Sequence, residues 1–375
     1  MNKRLFRTIP HLGGVCSLMV VLTLAVETRA DDSIDFKVRI QPRADVGDFT
    51  SAASSGCESQ LDLYIRRARL ELLGRPTDGL FYILGLSGDR AGQRGSANST
   101  ELAYAFVNYR LAPALQLRAG LVKLPLSRGG WVSSARLLLI ERTQTVSMAA
   151  AAFGRYITPH LALHGRSRGG TIGYSVAVTD GLQPGDSDRR FSGATVSASD
   201  NPGLVLRFEV SPGGWGEEGR ESGSHLGVGR HLTIGLNGAV QNGIQFDVET
   251  EDRAVVGGDL SFHQGGLTFR SEYLRVRRER RDGLDLSPAG WYVQIGFYIN
   301  ELRLEPAARL ERYDADLPGG DDVTATYTGG INWYRSGHDL KLMANVAHTR
   351  FQRSVRQIDS ASARTALQLQ SQMYF

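Results

Sequence analysis

The feature that most constrains this chain is a two-residue alternation of apolar and polar side chains, held over runs of about ten residues. Trp291, Val293, Ile295, Phe297 and Ile299 alternate with Tyr292, Gln294, Gly296 and Tyr298. Leu302, Leu304, Pro306, Ala308 and Leu310 alternate with Arg303, Glu305, Ala307, Arg309 and Glu311. Leu340, Leu342, Ala344 and Val346 alternate with Lys341, Met343, Asn345 and Ala347. Leu80, Tyr82, Leu84 and Leu86 form another run, as do Ala103, Ala105, Val107, Tyr109 and Leu111. An extended chain points successive side chains to opposite faces, so each run has a greasy face and a wet one. Runs of about ten residues suit tilted strands crossing a bilayer, whereas strands of a water-soluble sandwich average nearer six and need a second sheet over their apolar face. The apolar parity is therefore assigned to lipid and the polar parity to a lumen. In hydrocarbon every backbone N–H and C=O needs an internal partner, so such strands must close into a barrel.

The expected fold is all-β: a transmembrane antiparallel β-barrel of about sixteen strands. Runs are read near 34–42, 60–74, 79–90, 101–112, 114–123, 153–165, 170–180, 202–212, 224–233, 234–246, 254–264, 266–278, 290–300, 302–313, 323–335 and 338–351, with 364–375 as a further one. An even count makes one of them surplus, and the pair within 224–246 is the weakest. In LDLYIRRARLELL, Ala68, Leu70 and Leu72 leave Leu61, Leu63 and Ile65 on the wrong face. A bulge near Arg66, or a strand that starts outside the membrane, would resolve the conflict. Tight turns fall at Pro113, Gly265-Gly266, Asn300-Glu301 and Gly337. Longer polar connections fall at 43–59, 90–100, 182–201, 212–223, 278–289, 314–322 and 352–363. Tight turns on one rim and long loops on the other are what a barrel of this kind shows.

Residues 1–30 read as a secretory signal peptide: Lys3, Arg4 and Arg7, then an apolar run from Val15 to Val26, then Thr28-Arg29-Ala30 as a cleavage site. The barrel domain is then 31–375. The whole chain carries a formal +4, but removing the first thirty residues leaves +1, which does not support binding nucleic acid through bulk charge. One cysteine, Cys57, remains, so no intramolecular disulfide forms. Basic residues are almost all arginine; Lys37, Lys123 and Lys341 are the lysines after the signal. Arginine presents a rigid donor fork suited to phosphate and carboxylate. The histidines are scattered, without a hydrolase or metal-ligand spacing, so the chain is not read as an enzyme and no cofactor or metal is implied. The chain ends in Leu367, Leu369, Met373 and Phe375 against Gln368, Gln370 and Gln372. A final amphipathic strand closed by an aromatic residue resembles the signal read by the outer-membrane barrel assembly machinery.

The alternation breaks once at length. After Leu115, Leu117, Ala119 and Leu121, about thirty residues follow without a clean period, and a new run begins near Phe153. This insertion carries Lys123, Arg128, Arg136 and Arg142 against Glu141, and is read as a loop folded into the lumen to narrow it. The run GLVKLPLSRGGWVSSARLLLIERTQ resembles the matching segment of phosphate-selective porins (the O/P family), through Gly120, Lys123, Pro125, Ser133, Ser134, Glu141 and Arg142. The segments 66–89, 256–279 and 290–314 agree in the same order. The resemblance implies an outer-membrane homotrimer passing phosphate or pyrophosphate.

The residues alone support a preference for small anions. Arg118, Arg270, Arg303 and Arg309 fall on the lumen parity, because arginine near the midplane of the lipid face would cost about 2–4 kcal/mol. Arg67 and Arg69 share that parity and either line the pore or pair with Glu71. Lys123 either lines the pore or ends a strand. With Arg128, Arg136 and Arg142 these are the expected pore-lining and anion-binding residues; Glu141 with Arg142, and Ser133 and Ser134, are expected to pin the loop to the wall. The alternative is a non-conducting structural or adhesive barrel with a plugged lumen.

Overall fold

The computed structural model describes residues 34–47, 60–96, 99–186, 194–199, 201–213, 215, 222–246, 249–281, 283–316, 320–353 and 362–375. Residues 1–30, read as a signal peptide, and Cys57 lie outside them. The described strands are β1 (Ile34–Gly47), β2 (Gln60–Thr77), β3 (Leu80–Ser87), β4 (Glu101–Ala112), β5 (Leu115–Lys123), β6 (Ile157–Arg166), β7 (Ile172–Thr179), β8 (Val196–Ser199), β9 (Gly203–Val210), β10 (Arg230–Phe246), β11 (Glu249–Gln264), β12 (Leu267–Arg280), β13 (Ala289–Phe297), β14 (Leu304–Asp314), β15 (Val323–Ser336), β16 (Leu340–Phe351) and β17 (Ala363–Tyr374). Two short helices, α1 (Arg128–Trp131) and α2 (Gln144–Ala151), interrupt the strands between β5 and β6.

Every pairing is antiparallel, and β1 pairs with both β2 and β17, which closes the cylinder. The last residue takes part: Val38 N donates to Phe375 O at 2.7 Å and Phe375 N to Val38 O at 3.0 Å. β8 and β9 lie end to end along β10, the first against Ile244–Phe246 and the second against Ile234–Val240. They are one interrupted staircase of the wall, so the barrel has sixteen strands.

The surplus run is resolved where the pattern is weakest: 224–233 and 234–246 are not two strands, and the single β10 takes their place. Its Asn-Gly pairs, Asn237-Gly238 and Asn242-Gly243, mimic turns. Only the second bends the strand, Gly243 taking φ +69 where the register slips between Gln241 and Ile244. The conflict in β2 is resolved by a bulge: Gln41 faces Arg67 and Pro42 faces Ile65, so Arg66 is the extra residue, and both arginines turn inward. A second bulge opposite Gly85 and Leu86 corrects the reading of β4, since it leaves Ala103 buried inside and Leu102 outside.

Outward positions are apolar and exposed, as with Leu236, Ile295, Leu342 and Phe375. One rim carries the tight turns, the start of β1, the end of β17 and, contrary to expectation, both ends of the long connection between β9 and β10. The inward face is not uniformly polar. Ala162, Ala177, Val205, Ala239, Val255, Leu274 and Val276 form an apolar shelf, and Val146, Met148, Ala149 and Phe153 of the folded-in segment pack on it. Phe153 therefore ends the loop and does not begin a strand; β6 starts at Ile157.

Candidate functional site

The segment 124–156 enters the cylinder because the chain supplies both a helix and a place to seat it. Thr143 caps α2 by accepting from Val146 N at 3.1 Å, and Ser127 caps α1 by accepting from Gly130 N at 3.1 Å. Thr145 N and Oγ1 donate to Glu311 on β14 at 2.8 and 3.0 Å. Gly290 on β13 has no side chain because a Cβ there would fall on Thr145 Oγ1.

Arg128 fixes the other end. Fully buried, it donates to Glu209 on β9 at 2.5 Å and to Asp259 on β11 at 3.2 Å, while its backbone N donates to Glu272 on β12 at 2.9 Å. Arg207 shares both carboxylates, at 2.9 Å from Glu209 and 2.7 Å from Asp259, and Arg166 also pairs with Glu209. Three cations thus meet three acids, and the cluster is balanced. Between the helices the loop backbone is read by the wall. Gln41, Gln372, Asn332 and Arg309 donate to the carbonyls of Ser134, Ala135, Leu138 and Glu141, at 3.4, 3.1, 2.8 and 2.7 Å.

The β1–β2 wall is different. Glu141 accepts from Arg66 Nε and Nη2 at 2.8 and 3.3 Å and from Arg43, which also holds Asp45 at 2.6 Å. Arg69 donates to Asp89 at 3.0 and 3.4 Å. Arg67 donates to Gln41 at 3.0 Å and stays 3.9 Å from Asp89; Arg39 is 3.9 Å from Glu71. With Arg142, six guanidinium groups face the four carboxylates of Asp45, Glu71, Asp89 and Glu141, leaving two positive charges unmatched. Burial alone would raise the Glu141 carboxyl, but the fields of Arg66, Arg43 and Arg67 hold it well below the usual range. Asp89 is lowered in the same way: burial opposes, and Arg69, Ser87 and Arg67 together outweigh it. A cavity of about 230 Å³ opens here, lined by Arg43, Arg66, Arg90, Tyr64 and Glu141 among others.

The remaining expected residues divide. Lys123 donates to the carbonyls of Trp131 and Val132 at 2.9 and 3.0 Å, closing α1. Arg142 donates to Gly129 O and Val132 O at 3.2 and 2.6 Å and lies over the Tyr156 ring. Ser133 Oγ accepts from Ala135 N at 3.3 Å, and Ser134 is buried. Arg136 is exposed at the loop's tip, and its carbonyl accepts from Gly223 and Ser224 N at 2.8 and 3.2 Å. Arg118 donates to Asn108 at 3.2 Å. Arg270 and Arg309 are buried between the loop and the wall. Arg303 needs correction: it sits in the turn before β14, exposed, with φ +53, and does not face the lumen. Its parity was carried back from β14, which begins one residue later. Arg43 and Arg66 escaped the sequence reading because the run read at 34–42 stops at Pro42, whereas β1 continues to Gly47, and Arg66 sits in the bulge; Arg39 lies within that run and was not singled out.

The family profile of the phosphate-selective porins O and P matches residues 36–375. The chain belongs to this family. Its members are non-enzymatic channel proteins of the bacterial outer membrane. An uncharacterized protein of Aquifex aeolicus (strain VF5) is 29% identical over 344 residues, covering 83% of this chain and 81% of that protein. Solved porins share the fold at low identity. An anion-selective porin from Comamonas acidovorans superposes with a TM-score of 0.64 at 14% identity, covering 92% of this chain and 99% of that one. The outer membrane channel DcaP of Acinetobacter baumannii gives 0.61 at 11%, covering 92% and 97%. The trimer form of OmpT from Vibrio cholerae gives 0.55 at 8%, covering 92% and 99%.

Proposed function

We propose that this porin forms a water-filled channel for passive diffusion of small anions, with phosphate and pyrophosphate as the first solutes to test. The observation that carries this reading is the unmatched positive charge on the β1–β2 wall beside the loop, set against the balanced Arg128 cluster. Guanidinium groups held by neighbours but not neutralised attract anions and release them, as conduction requires. Residues 1–30 act as the export signal, Phe375 at the outward face serves the assembly machinery, and the protein works as a homotrimer in the outer-membrane lipid. The Comamonas porin is anion-selective and the Vibrio structure is a trimer form, which supports these assignments.

The second reading is a barrel with a closed lumen. The bonds from Gly223 and Ser224 to the tip of the loop favour it, because they join two inward-folded segments across the interior. Single-channel recording of the purified protein separates the two. Steady conductance supports the channel, and phosphate block of chloride current supports phosphate binding. Absence of conductance overturns the channel.

A further inference from the structure

Arg270 on β12, Gln294 on β13 and Arg309 on β14 stand in one inward row, through the registers Arg270↔Gln294 and Gln294↔Arg309. Neighbouring strands are about 4.8 Å apart, so the two arginine backbones are about 10 Å apart. Both side chains are buried, at 2% and 9% exposure. Each gives one terminal N–H to the backbone of an inward-folded segment: Arg270 Nη2 donates to Ser222 O at 2.7 Å and Arg309 Nη1 to Glu141 O at 2.7 Å. In each, the Nε–H is sealed from solvent and has no acceptor. Both residues line one cavity of about 20 Å³, bounded by the loop from Gly129 to Val146, by Gly223, and by Tyr292 and Gln294 of the wall.

A buried donor without an acceptor is costly, and more so when charged. The carboxylates nearby are already engaged. Glu272 accepts from the backbone of Arg128 and Gly129 and from Tyr292. Glu311 accepts from Thr145, and Glu141 from Arg43 and Arg66. The cavity has room for about one water-sized species. Two cationic donors prefer an acceptor that carries charge. A tetrahedral oxyanion is too large for this space, whereas a monatomic anion fits it.

We propose that a single halide ion binds between Arg270 and Arg309 and locks the folded-in loop, together with the Ser222–Gly223 backbone, to the β12–β14 wall. This site is structural, adjoins Glu141 and Arg142 of the loop but none of the β1 and β2 arginines assigned to conduction, and does not depend on the lumen being open.

Crystals of the full-length mature protein in sodium bromide test it by anomalous diffraction. The expected result is a bromide peak within hydrogen-bond reach of both Nε atoms; a water or nothing at that place overturns the proposal. Thermal unfolding in detergent at fixed ionic strength supplies the second readout. The midpoint should rise with chloride or bromide relative to phosphate, and Arg309→Gln should weaken the apparent halide affinity about tenfold or more. A bromide peak without any halide-dependent shift in the unmodified protein would mean an adventitious ion only, and would also overturn it. A protein that carries no current yet shows the peak and the shift refutes the channel and leaves this site standing.

Discussion

Glu141→Gln tests how the loop is tied to the basic wall. The carboxylate accepts two bonds from Arg66, at 2.8 and 3.3 Å, and one from Arg43. A bond to a charged group contributes about 1.5–3 kcal/mol when well buried. This side chain is 33% exposed, so solvent screens part of that. Arg43 keeps Asp45 at 2.6 Å, and Arg66 remains 3.9 Å from Asp89. The net loss is therefore about 1–2 kcal/mol, measured by unfolding in detergent. Removing one negative charge beside an already positive wall should also move the reversal potential further towards anions. The pH dependence gives a third check. The folded carboxyl lies well below its ordinary value of 4.5, so its contribution is complete above that value and is lost as pH falls through the depressed one. That acid-side loss should flatten in the Gln variant. A stability change under about 0.3 kcal/mol with an unchanged reversal potential would refute the anchoring argument.

Gly290→Val places a branched side chain where Thr145 sits, which should cost about 1–3 kcal/mol and displace α2; single-channel conductance should rise, and an unaltered trace would count against the seat described for the helix. Arg128→Met leaves the Glu209–Asp259–Glu272 cluster one cation short and should destabilise by about 3–5 kcal/mol, with Glu209→Gln partly restoring the midpoint; additive losses would contradict the coupling. Burial, reinforced by His263, Arg270, His231 and His338, pushes the His225 imidazole down to about 2, so the folded state holds it neutral. The unfolded segment takes up a proton near 6.5; docking of 222–225 is at full strength above that pH and weakens below it, by up to about 1.4 kcal/mol per pH unit. Protection factors at Gly223 and Ser224, referred to the intrinsic exchange rate at each pH, should fall from pH 7 to pH 4.5, and His225→Asn should remove the difference.

The wall of the barrel was legible because lipid and lumen impose opposite demands on successive residues, and Leu340 to Val346 record this without ambiguity. Even the misfit at Leu61, Leu63 and Ile65 carried information, since it located the bulge at Arg66. What the alternation could not show was pairing at a distance. Arg128 was visible as a loop cation, yet its carboxylates lie on β9 and β11, far along the chain, and they convert it from a pore charge into a fastener. The apolar shelf was hidden for the same reason: Ala162, Ala177 and Val205 look like ordinary alternation until a helix is known to lie on them. Four-residue β8 carries too little pattern to stand out, and the rim on which the β9–β10 connection begins and ends follows from strand order, not from composition.

The unmatched positive charge on the β1–β2 wall is tested most directly by the reversal potential of the mature protein in a planar bilayer under a potassium chloride gradient. The account predicts a potential of the sign that chloride flux dictates, reduced when Arg67 and Arg69 are both replaced by Gln. A potential of the opposite sign, or one indifferent to those replacements, would contradict it.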